Sequence, residues 1–112
     1  MTLDTAVGAI TGLARSFPCL TDARGLDPWH PRSFDLWGLD PARSFEARYA
    51  VALILNVWNS RYRWSVGPFD AVYALLQWDD ADRAAFLDYA ADPFWINFDR
   101  PDPRPEWSEG DR

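Results

Sequence analysis

Apolar residues recur at helical spacing along most of the chain, up to about Ala91. Leu3, Val7, Ile10, Leu13, Ala14 and Phe17 fall three or four apart behind Thr2, which predicts an amphipathic helix over residues 2 to 16 with Thr2 as its cap. Gly8 and Gly12 weaken this helix by about 1 kcal/mol each relative to Ala, so it should depend on docking against the rest. From Phe17 to Leu39 the period is lost. Pro18, Gly25, Pro28, Pro31 and Gly38 predict a long loop with a short helix near Ser33 to Trp37, and Trp29, Phe34, Leu36 and Trp37 argue that it lies down on the body.

The strongest pattern follows over residues 41 to 59. Asp40 is a suitable cap and Pro41 suits a first helical position. Projected at a helical period, Arg48, Asn56 and Asn59 form one narrow polar stripe, while Phe45, Tyr49, Ala50, Val51, Leu53, Ile54, Val57 and Trp58 cover the remainder. Leu55 falls inside the stripe, which predicts that the stripe is partly covered too. This is the expected central helix. Residues 61 to 66 alternate Tyr62, Trp64 and Val66 with charged or small residues, compatible with a short extended piece. Gly67 and Pro68 then open a helix in which Phe69, Val72, Tyr73 and Leu76 share the apolar face, ending near Gln77 or Trp78. Asp79 caps a further helix, with Asp80 and Asp82 in its first turn, that stops at Asp92-Pro93. Phe94, Trp95, Ile96 and Phe98 are expected to return the chain to the core. Beyond Asp99, Pro101, Pro103 and Pro105 alternate with charges around Trp107, as in polyproline or disordered tails. The expected fold is all-α: about four helices around residues 41 to 59, a single domain over 1 to 98, a long aromatic loop, and a tail over 99 to 112.

Composition narrows the function classes. With 112 residues, 48% of them hydrophobic, the chain can bury one core. No positively charged leader precedes the first apolar residues, and the apolar run from Tyr49 to Trp58 is too short to span a bilayer, so no membrane association is expected. The lone Cys19 forms no internal disulfide, which fits a reducing compartment, the cytoplasm by default. All eleven basic residues are arginine. A GC-rich coding genome explains this most simply, the alternative being selection for the planar five-donor fork. Residues 1 to 65 hold six acids and seven arginines, whereas residues 66 to 112 hold eleven acids and four arginines, a charge of −7. That surface repels phosphate backbones, so a protein with a basic surface, and not nucleic acid, is the expected partner.

Candidate chemistry is sparse. His30 is the only histidine and Cys19 the only cysteine, so neither a two-histidine nor a two-cysteine metal site is available, and no catalytic residue, metal or cofactor is assigned. Cys19 lies among Phe17, Pro18 and Leu20, an apolar seat that suits a structural thiol. Asp79, Asp80 and Asp82 resemble the start of a calcium loop, but alanines occupy the positions of its glycine and its bidentate Glu, at Ala84 and Ala90. Capping explains the cluster better. Asp88 and Asp92, like charges one helical turn apart, require a cation that is either an internal arginine or a partner's. Glu46 is expected to pair with Arg43.

Eighteen aromatic residues, seven of them Trp, are the clearest positive feature, because Trp, Tyr and Arg dominate interface hot spots. Trp58, Trp64 and Trp78 are expected in the core, and Trp29, Trp37 and Trp107 at the surface. Taken together, the residues point to a non-catalytic acidic binding protein that presents Asp79, Asp80, Asp82, Asp88, Asp92, Trp29, Trp37 and Trp107 to a basic partner. An inhibitor, an immunity protein or a phage-type antagonist occluding a nucleic-acid-binding groove has this character. A structural subunit or homo-oligomer assembled through exposed aromatics is the alternative. A small enzyme or ligand-binding protein using Glu46, His30 and arginines in an aromatic pocket is a third.

Overall fold

A computed structural model describes residues 2–96 of the chain. Among these residues the regular structure is entirely helical: α1 (Leu3–Arg15), a 3-10 turn (Pro18–Leu20), α2 (Pro31–Leu39), α3 (Phe45–Trp58), α4 (Ala71–Gln77) and α5 (Asp80–Ala91). The segment 99–112, with Trp107, lies outside the described residues, as does Phe98.

The first helix forms over the expected residues, but its buried face is turned from the expected one, with Leu3 exposed and Val7 and Leu13 half-buried. Thr2 Oγ1 accepts from Thr5 N, and Ala6, Ile10 and Ala14 are buried along one face. Beyond it the chain is more helical than the loss of period predicts. Gly25 turns back with a φ of +90°, and its carbonyl accepts from His30 N at 2.7 Å; a Cβ there would stand 2.6 Å from Phe34 N. His30 Nδ1 then accepts from Ser33 N at 3.1 Å and Pro31 takes the first helical position, so α2 begins earlier than the apolar pattern indicates. It also ends later, because Gly38 allows close approach to α3. A Cβ at Gly38 would lie 2.7 Å from Val51 Cγ1.

The central helix begins later than the Asp40-Pro41 pair implies. Asp40 is the C-cap of α2, its N–H donating to Trp37 O, and its carboxylate accepts from Ala42 N in the turn that follows. A residue finishing one helix is not placed to begin the next. Ser44 takes over, its Oγ accepting from Ala47 N at 3.1 Å. Every residue from Ala50 to Leu55 is buried while Arg48, Asn56 and Asn59 are half-buried, so the polar stripe is partly covered as Leu55 indicates, and α1, α2 and α4 all pack on α3.

Two further expectations are corrected. Residues 61 to 66 form turns and no extended piece: Trp64 Nε1 donates to Asn59 O, and the buried Asp35 carboxylate takes Ser65 N at 2.9 Å and Val66 N at 3.0 Å. Those amides are thereby satisfied without a ladder. α4 starts at Ala71 under an Asp70 cap, so Phe69 precedes the helix, and its orientation is the reverse of the expected one. Ala74 is the residue buried against the body, whereas Val72, Tyr73 and Leu76 are exposed. Small residues permit the closest approach between helices, and the fully buried residue of α4, which packs on α3, is Ala74.

Arginines close two helix ends. Arg43 Nε donates to Trp37 O and Arg48 Nε to Gly38 O, both late carbonyls of α2. Arg83 donates to Leu75 O and Trp78 O at the end of α4, and also to Asp80. The fork satisfies several orphan carbonyls at once, where the helix dipole also favours a cation.

Candidate functional site

The acidic residues of α5 divide into structural and surface groups. Asp79 caps the helix by accepting from Asp82 N at 2.9 Å. Hydrogen bonds from that turn, Asp82 N first, hold its carboxyl below the usual carboxylate range. Asp82 itself is only 2% exposed, and its carboxylate accepts from Cys19 N at 3.1 Å, tying α5 to the 3-10 turn. Burial pushes this carboxyl upward, with the Cys19 amide acting in the opposite sense. Asp82 is therefore withdrawn from any partner, contrary to its expected surface role. Asp80 stays exposed but is paired with Arg83 at 3.2 Å. Capping accounts for Asp79, whereas Asp82 is held by its bond from Cys19 N.

Asp88 and Asp92 are different. Both are exposed, and among the described residues neither forms an ion pair with an arginine. They border a shallow groove of about 410 Å³ between α1 and α5, lined also by Leu13, Ala85, Tyr89 and Phe94. Tyr89 and Phe94 are locked together at its end, the Tyr89 hydroxyl donating to Phe94 O and the rings meeting edge to face at 5.5 Å. Two carboxylates above an apolar floor suit a side chain that is apolar along its stem and cationic at its head, as arginine and lysine are.

The aromatic expectations are partly reversed. Trp58 and Trp78 are buried and Trp64 half-buried, as expected of a core. Trp78 centres a cluster with Phe17, Phe69 and Phe86 at centroid distances of 5.4, 5.9 and 5.5 Å, and its indole N–H donates to Glu46 O. Trp37, expected at the surface, is 8% exposed, because α2 turns it onto the core and Arg43 covers its ring at 4.3 Å. Trp29 is half-buried, edge-on to Trp58 at 5.2 Å. Neither is an exposed anchor. Among the described residues the exposed tryptophan is Trp95, at 71%, one of the residues expected to return the chain to the core. Its neighbours Phe94 and Ile96 do pack on the core.

The large residues that the sequence assigns to the interior but the fold leaves in solvent include Val72, Tyr73 and Leu76 on α4. The signal for this was faint: α4 carries no charged residue, so nothing marks its outer side except the small size of Ala71 and Ala74.

Several of the residues named for an aromatic pocket are engaged in local structure. His30 Nδ1 is engaged in capping α2, Arg43 pairs with Asp40 at 3.8 Å and not with Glu46, and Cys19 Sγ donates to Glu46 O. Burial pushes the Cys19 thiol well above its ordinary range, which suits a structural role. A second depression, of about 630 Å³, is lined by Arg15, Phe17, Arg24, Leu26 and neighbouring residues and includes neither His30 nor Glu46. Among the described residues no group of three His, Cys, Asp or Glu side chains is placed to hold a metal, and no helix is long and apolar enough to cross a membrane. No family model, curated protein or solved structure matches the chain.

Proposed function

We propose that the chain is a non-catalytic binding protein whose acidic C-terminal part engages a basic surface on a partner protein, in the manner of an inhibitor that occludes a nucleic-acid-binding groove. The observation that carries this reading is the pair Asp88 and Asp92. Asp88 lies in the last turn of α5 and Asp92 is its C-cap, the end of a helix where carboxylates are disfavoured by the dipole, and here no described arginine pairs with them. A cation from outside relieves that cost. The apolar floor of Leu13, Tyr89 and Phe94 adds contact area for the stem of such a side chain. A nucleic acid is a poor occupant of the same place, because its phosphates would meet carboxylates.

The test is surface-based kinetics against an immobilised arginine-rich peptide at low and physiological ionic strength, with duplex DNA as competitor. Replacing Asp88 and Asp92 by Asn should slow association and flatten its salt dependence while leaving dissociation nearly unchanged, and DNA should compete. Salt-independent association that survives both substitutions would remove the reading.

A further inference from the structure

α4 is apolar except for Gln77 at its end, yet Ala74 is its one fully buried residue. Its seven residues, Ala71–Gln77, include no charged side chain, and a helix of that composition is ordinarily buried all round. Ala74 is buried against the body, while Val72, Tyr73 and Leu76 remain 70%, 56% and 72% exposed. At positions i, i+1 and i+4 these three side chains form one continuous outer stripe. Contiguous apolar surface of this kind on a folded domain marks an interaction site more often than single exposed residues do.

We propose that this outer face of α4 docks an amphipathic helix of a partner protein, one whose apolar stripe is flanked by arginine or lysine. This rests on the acidic-binder reading above and names the element of the partner that is recognised. Charge decides the occupant. Asp70 stands immediately before α4, and Asp79 and Asp80 immediately after it, so carboxylates bracket the stripe at both ends. Residues 66 to 96 hold six Asp and a single arginine, Arg83, whose donors are committed to Leu75 O, Trp78 O and Asp80. A second copy of the chain would bring a net charge of −6, and residues 97 to 112 bring five acids against three arginines. Either would set carboxylate against carboxylate. A cationic amphipathic helix reverses the sign, its charges speeding encounter and its apolar residues slowing departure.

The experiment uses the full chain and three synthetic peptides: an amphipathic helix with arginine flanks, the same helix with glutamate flanks, and an arginine-rich peptide without an apolar stripe. Binding is read by calorimetry and by amide chemical shifts. The arginine-flanked helix should perturb α4 amides, and the exposed double substitution Val72→Ser/Leu76→Ser, with helicity checked by circular dichroism, should weaken it by about tenfold or more. The glutamate-flanked helix should bind far more weakly to the unaltered protein, an arm that depends on no substitution. Equal binding of the two flanked helices, or shifts confined to Asp88 and Asp92 and indifferent to Val72→Ser/Leu76→Ser, would overturn the α4 site. In the second case the acidic-binder reading survives. Failure of all three peptides would sink both. Self-association in light scattering that Val72→Ser/Leu76→Ser abolishes would replace the cationic helix with a second copy and overturn the proposal.

Discussion

A methyl group added at Gly12 meets nothing within 4 Å, whereas one added at Gly38 would stand 2.7 Å from Val51 Cγ1. The two glycines should respond oppositely to the same change. Gly12→Ala should raise stability by about 1 kcal/mol through helix propensity alone, and Gly38→Ala should lower it by about 1–3 kcal/mol, because the buried, β-branched Val51 has little room to yield. Denaturant titration of both variants checks this, and a stabilised Gly38→Ala protein would mean that α2 and α3 do not approach as closely as described. Cys19 offers a second test at the same scale. Burial raises its thiol in the folded state, so an unfolded chain ionises first as the pH rises. Stability should therefore be unaffected by this group below about pH 8.5 and fall by up to about 1.4 kcal/mol per pH unit above it. The chain has no lysine to titrate in that range, and Tyr89, also pushed upward by burial, contributes only beyond about pH 10. Cys19→Ala should abolish the slope in melts between pH 8 and 10; an identical slope in that variant would exclude Cys19 as its source.

Helices here are made by local caps but held by what they bury. Leu53 and Ile54 sit on α3 at 5% and 0% exposure, and truncating either to Ala should cost about 2–5 kcal/mol. A loss under 1 kcal/mol in both would show that α3 is not the centre of the core. Arg83 tests the ends of helices instead. Its guanidinium joins Leu75 O, Trp78 O and Asp80, so Arg83→Ala strands carbonyls at the close of α4 and should destabilise by about 1–3 kcal/mol. Lysine keeps the charge but not the fork, and Arg83→Lys should recover only part of the loss. Full recovery by Lys would reduce the role of Arg83 to charge alone. Arginine usage of this kind, repeated by Arg43 and Arg48 at the end of α2, gives the side chain a structural use whatever the codon bias of the genome.

At the scale of the whole molecule the net charge is −6, and its acidity is concentrated beyond residue 65. Asp88, in the last turn of α5, and Asp92, its C-cap, stand at the helix end that disfavours carboxylates with no described arginine paired to them. Asp88→Asn should thus stabilise the isolated protein by about 0.2–0.5 kcal/mol at low salt, the gain shrinking as salt is added, while association with a cationic probe slows. A residue that costs stability and speeds binding fits a surface selected for a partner. If Asp88→Asn destabilises the protein, the pair is structural and the groove loses its functional reading.

Composition and periodicity by themselves determined the all-helical class, the Thr2 and Asp79 caps, the burial of α3 including Leu55, and the uneven charge. These follow from local propensity and from hydrophobic pattern, which act within one segment. Tertiary structure alone decided where α3 begins, since Asp40 was already engaged in ending α2 and the start passed to Ser44. It decided that Asp82 would be buried on Cys19 N, that Asp35 would hold the turn at Ser65 and Val66, and that Trp37 would lie under Arg43. It decided the orientation of α4 as well. A short helix with no charged residue has no charged face to mark its outer side, so packing that buries Ala74 set the rotation and left Val72, Tyr73 and Leu76 in solvent. Such choices depend on which surfaces meet across the fold, and a pattern read along one segment contains no information about the segment it will meet.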